Sequence, residues 1–265
     1  MSAISKLVRL ALVAVPALAG AAFSSAAEAG TITLAYSPGQ YSSSGGGEFK
    51  VTQFSGAVVP PVGAHVNDPG GIFETFCLEH GEVFSPGTQY NWTMSTAAHA
   101  GGGDAAHGAQ QDGSGNWFDP IDSRTAYLYT QFWNGTLQWT DSANVLKSYD
   151  YVGIGAGRPV SADALQKAIW YLENELSLTD IGGTSSDAYR LTLAAQHAID
   201  IGQWSGIGNV RVLTLTDNAG NFRQDQLFVT SVPLPPAAVM GLGLMAAMAA
   251  LGARRRRARL AFERS

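Results

Sequence analysis

Two apolar segments, one at each end of this 265-residue chain, decide how much of it is left to build a folded body. Near the start, Lys6 and Arg9 precede an apolar run from Leu10 to Phe23. Ala27, Glu28 and Ala29 then close the segment in the A-x-A pattern of a cleavable secretory signal. The polar Ser24 and Ser25 stop the run short of the ~20 residues that a permanent anchor needs. Near the other end, Val232, Pro233, Leu234, Pro235 and Pro236 lead into an apolar stretch from Ala237 to Ala253, which the arginines Arg254 to Arg257 terminate. At ~1.5 Å per residue that stretch reaches ~25 Å, a marginal span of a ~30 Å hydrocarbon core, and the arginines should hold its end on the cytoplasmic side. The expected layout is a signal peptide at 1–29, a folded body at 30–231, and a terminal segment at 232–265 with a transmembrane helix at 237–253.

The order of a short proline motif, an apolar helix and a basic tail resembles the PEP-CTERM sorting signal, with Leu234 where the name-giving motif has glutamate. That resemblance implies processing by an exosortase, transient residence in the inner membrane, and delivery to the cell envelope or the extracellular matrix. A plain tail anchor with a stop-transfer arginine cluster is the alternative.

The body is poor in charge. The whole chain is 14% charged and 46% hydrophobic, with 31 Gly and 11 Pro, which points to turn-rich β architecture around a sizeable core and away from disorder or a coiled coil. Between the end segments lie eight basic and nineteen acidic residues, a balance that repels phosphate backbones and excludes nucleic acid as a natural partner.

Short β-like runs at Thr31 to Tyr36 and Glu48 to Phe54 are separated by Ser/Gly turns. The run Ile72 to Leu78 and the segment Tyr90 to Met94, parted by Ser85, Pro86 and Gly87, read as a hairpin. Thr96 to Asn116 has no periodicity and reads as a long loop. Helices are expected at Ser123 to Trp133, Ser161 to Leu176 and Ser186 to Ile201. The second is the clearest, with Ser161 as N-cap and a stripe of Leu165, Ile169, Leu172 and Leu176. Strands resume at Val210 to Thr216 and Gln226 to Ser231. The fold class is therefore α+β, with β-barrel or sandwich strands flanking a helical insertion.

Cys77 is the single cysteine, so an exported body built from this chain holds no internal disulfide, although its compartment would favour one. A buried thiol serving as a small apolar side chain is the simplest account. A second feature argues for more: eighty-nine residues later the clear helix carries Leu165, Gln166, Lys167, Ala168, Ile169 and Trp170. Together, Phe76, Cys77, Leu78, Glu79 and the Leu165 to Trp170 stretch resemble the paired motifs of bacterial thioester domains. In that family a cysteine sulfur and a glutamine side-chain carbonyl are joined with loss of ammonia.

The resemblance implies a Cys77 to Gln166 thioester, with Phe76, Leu78, Leu165, Ile169 and Trp170 as its apolar frame and Glu79 at the acidic position. It also implies no cofactor and no turnover. The product is an adhesin-like bond to an amine or hydroxyl on a surface or matrix partner. The residue types suit the chemistry, because a thiolate is a strong nucleophile and a carboxamide held against it can be acylated onto sulfur if water is excluded and the oxyanion stabilised. Trp170, one helical turn after Gln166, would shield the bond from hydrolysis.

Other patterns support other readings. Trp92, Trp117, Trp133 and Trp139 could line a sugar platform in a non-covalent structural or carbohydrate-binding domain. His80, three residues from Cys77, could serve a secreted cysteine hydrolase, although i and i+3 do not share a strand face. His99, Asp104 and His107 lack the framed spacing of a metal site, and none is assigned.

Overall fold

The computed structural model describes residues 29–36, 46–56, 58, 60, 71–99, 109–111, 115, 117–152 and 157–230. The expected signal peptide at 1–29, apart from its final Ala29, the sorting segment at 232–265 with its span at 237–253, and Asp104 and His107 lie outside these residues.

The described chain is α+β with strands dominating. In order it forms β1 (Ala29–Tyr36), β2 (Phe49–Gly56), β3 (Phe73–Thr75), β4 (Gln89–Ser95), β5 (Ala97–His99), β6 (Gln110–Gln111), β7 (Trp117–Pro120), α1 (Ser123–Trp133), β8 (Gln138–Thr140), β9 (Leu146–Ser148), α2 (Gly157–Leu172), α3 (Asp187–Asp200), β10 (Val210–Thr216) and β11 (Phe222–Val229). The principal sheet is antiparallel, in the order β11-β10-β4-β1-β2-β3. Its strands follow the period-2 rule where one face meets solvent: in β4, Tyr90 and Trp92 are buried while Gln89, Asn91 and Thr93 are exposed.

This sheet curls until its two edges meet. Just past β3, Leu78 N–H donates to the Asp225 carbonyl at 3.1 Å, and Leu227 N–H donates to the Phe76 carbonyl at 3.0 Å, so Cys77 faces Gln226 in an antiparallel bridge. The Thr75 hydroxyl adds a bond to the Leu227 carbonyl at 2.7 Å. Cys77 thus sits on the seam that closes the barrel-like curl.

The helices lie between the outer strands in sequence and pack on that seam. Tyr129 of α1 sends its hydroxyl to the Glu74 and Leu227 carbonyls at 2.9 and 3.1 Å, one on each edge. Phe132 meets Phe76 edge-on at 5.0 Å, and Trp133 packs against Phe73 and Phe228.

Several sequence expectations require correction. The run through Phe73–Thr75 and the strand Gln89–Ser95 are not a hairpin, because β3 pairs with β2 while β4 lies between β1 and β10. The stretch read as a loop contains β5 and β6, which form a small sheet with β7. The second helix runs from Gly157 to Leu172, and Ser161 lies inside it, its hydroxyl donating to the Gly157 carbonyl one turn back instead of capping the start. Asn174, in the left-handed region at φ 65°, follows its end. The first and third helices match their expected spans within a residue, started by the Asp122 and Ser186 side chains accepting from Arg124 N–H and Tyr189 N–H.

Candidate functional site

The seam brings Cys77 and Gln166 together. Gln166 projects from the middle of α2, whose Ala162, Leu165, Ala168 and Ile169 are fully buried. Its carboxamide lies along the Cys77 backbone as a strand residue would: Oε1 accepts from Cys77 N–H at 3.0 Å, and Nε2 donates to the Cys77 carbonyl at 2.8 Å. Oε1 also accepts from Gly47 N–H at 3.2 Å. Two backbone donors therefore converge on one carbonyl oxygen, the arrangement that stabilises negative charge when such a carbonyl is attacked. Reversing the amide would set N–H against N–H, so the network fixes its orientation.

Access to this carboxamide is closed. Cys77 is 0% and Gln166 1% exposed. Trp170, one turn further along α2, is also buried, and the His80 ring stands edge-on to it at 4.7 Å. Gly46 lies against both of these α2 side chains: a Cβ there would come within 2.7 Å of Gln166 Cγ and would overlap the Trp170 ring. The close approach of the Gly46 and Gly47 backbone is what delivers the second N–H to Oε1.

On the sulfur side the neighbour is a second glutamine. Gln226 Nε2 donates to Cys77 Sγ at 3.5 Å and to the Gln224 carbonyl at 3.2 Å. Burial pushes the Cys77 thiol well above its ordinary range, and the Gln226 hydrogen bond opposes that rise.

A buried ionic network braces the same segments. Arg158 of α2 bonds Glu48 through Nε at 3.0 Å and through a second nitrogen, and it reaches Glu74 at 2.6 Å. Tyr149 donates to Glu48 at 2.7 Å. Burial, and next the neighbouring Glu48 charge, push the Glu74 carboxyl up to about 9.

Of the other sequence candidates, Phe76 is core and Glu79 is buried, its carbonyl accepting from Gln224 Nε2 at 3.0 Å. His80 is exposed, and its N–H donates to Glu175. The imagined sugar platform does not form, because Trp92, Trp133 and Trp139 are buried in the core and only Trp117 is partly exposed. The His99 ring stacks on Phe222 at 3.4 Å. Gly46, Gly47, Arg158 and Gln226 were invisible as site residues from sequence. The one available signal was the acidic or amide character of Glu48, Glu74, Gln224 and Gln226 inside runs that otherwise read as core strands.

No protein-family model matches the chain, and no curated protein or solved structure matches it significantly. The chemistry of the seam therefore rests on its own atoms.

Proposed function

We propose that this chain is an exported, non-turnover protein that forms an internal thioester between Cys77 and Gln166. It then transfers the Gln166 acyl group to an amine or hydroxyl on a surface or matrix partner. The observation that carries the reading is the Gln166 carboxamide, buried against Cys77 with its oxygen held by two backbone N–H groups. In the forming step the Cys77 sulfur attacks Cδ of Gln166, the oxygen takes up charge between Cys77 N–H and Gly47 N–H, and the nitrogen leaves as ammonia carrying the thiol proton. In the capture step a partner nucleophile displaces the sulfur, leaving an amide or ester and a free thiol. Burial excludes the water that would hydrolyse the bond first. The end segments fit export through an N-terminal signal, exosortase processing and release to the envelope or matrix.

Intact-mass measurement of the freshly purified full-length protein tests this. The expected wild-type mass is one ammonia below that of the sequence, with no titratable thiol, and Cys77→Ala or Gln166→Ala restores the unmodified mass. A folded wild type at full mass with a free thiol overturns the reading and leaves Gln166 as a structural amide in a non-covalent domain.

A further inference from the structure

Resting on that reading and extending it, we propose that Gln226 is a catalytic residue of the acyl transfer, whose side-chain N–H stabilises charge on the Cys77 sulfur as the bond to Gln166 is made and broken. Gln226 belongs to β11, the strand that meets the Cys77 segment at the barrel seam, and it faces Cys77 across the bridge. It is 0% exposed. Both Nε2 hydrogens are engaged, one by Sγ and one by the Gln224 carbonyl, and the latter fixes which end of the amide meets the sulfur.

The oxygen of the same amide is the second observation. Gln226 Oε1 is buried and has no hydrogen-bond partner among the described residues. A fully buried amide with its acceptor unused is costly, and an apolar residue of equal length would fill the space without that cost. The residue is accounted for if the amide acts on the sulfur.

The balance of the step shows where it acts. An amine attacks Cδ of Gln166, the Cδ–Sγ bond breaks with its electron pair going to sulfur, and a proton from the amine nitrogen ends on Sγ. Until that proton arrives the sulfur carries charge in a site closed to water, and the side-chain donor on it is Gln226 Nε2.

The test uses the full-length protein, methylamine as nucleophile, and intact mass with thiol release as readouts, in wild type, Gln226→Met and Gln226→Glu. Gln226→Met keeps the space filled and should retain the ammonia-deficient mass but react at least about tenfold more slowly. Gln226→Glu donates an O–H while neutral. Its rate relative to wild type should be near one at low pH and fall as its carboxyl ionises, a profile that packing alone does not produce. An ammonia-deficient wild type whose Gln226→Met variant reacts at the wild-type rate, or a Gln226→Glu ratio flat with pH, overturns this assignment alone. A folded Gln226→Met chain at full mass supports it if Gln226→Glu regains the mass loss at low pH, and overturns it if neither variant loses ammonia at any pH. A full-mass wild type overturns the thioester reading itself, and is seen before any variant is compared.

Discussion

The Arg158 guanidinium grips the Glu48 carboxylate through two of its nitrogens, and this pair ties the start of β2 to α2. Glu48 directly follows Gly47, the second donor to Gln166, while Arg158 lies about two turns before Gln166 on α2. The same guanidinium holds Glu74, three residues before Cys77. One side chain thus ties both strand segments to the helix that carries the amide.

Replacing Arg158 by Met leaves Glu48 buried without its cation, so stability should fall by about 3 to 5 kcal/mol in a denaturant titration. At temperatures where the variant remains folded, ammonia loss should slow, because Gly47 and Gln166 are no longer held in common. Unchanged stability would show that the network does not brace the site.

Gly46→Ala places a methyl group against Trp170 and Gln166 Cγ. Overpacking of this kind costs about 1 to 3 kcal/mol, so the variant should fold with a lowered melting temperature. Because the methyl displaces the amide itself, the mass should stay at or near the unmodified value. Normal ammonia loss in Gly46→Ala would remove the close backbone approach from the account.

Trp170→Ala should leave the barrel and the Leu165, Ile169 and Leu172 stripe in place while opening a route for water to the Gln166 carbonyl. Truncating a buried Trp costs about 3 to 5 kcal/mol, so hydrolysis must be followed below the variant's own melting temperature. The expected readout is faster regain of thiol and of full hydrolysed mass. A folded variant that keeps its ammonia-deficient mass as long as wild type would make Trp170 a core residue only.

Stability should decline as pH rises above the ordinary carboxylate range. Burial raises Glu173 from 4.5 to about 8, and its carboxyl accepts from Asp122 N–H at the start of α1. A group whose pKa is higher folded than unfolded contributes most below its unfolded value, and that contribution is lost as pH rises through the folded one. Melting temperature should therefore fall between about pH 5 and pH 8, with Glu74 extending the fall toward pH 9. Glu173→Gln should flatten this slope by on the order of 5 to 10 °C, measured by calorimetry across the range. An identical slope in the variant would contradict the assignment.

Much of this arrangement was legible from local pattern. The runs at Ser123 to Trp133 and Ser186 to Ile201 and the apolar stripe of α2 mark three helices, while their caps do not follow from that pattern, and Gln166 and Cys77 stand out against the runs that hold them. Partner choice in the sheet was not legible, because β3 and β4 are close in sequence but the curl sends them to different neighbours. The role of Gln226 is hidden in the sequence for the same reason. It reads as one polar residue of a strand until the seam sets it opposite the only cysteine. The contact of Gln166 is also different in kind from the expectation, since the amide meets the backbone of Cys77 while another residue meets the sulfur.

The closing of the barrel at Cys77 also governs timing. Strand β11 is the last described element to leave the ribosome, and it brings the carbonyl that takes Leu78 N–H and the amide that touches the sulfur. A chain extended only as far as α3 already holds both Cys77 and Gln166, yet nothing seals the side of the cysteine that β11 will cover. The reaction proposed above therefore waits on β11, and a product truncated before that strand lacks the sealed seam that the proposal requires.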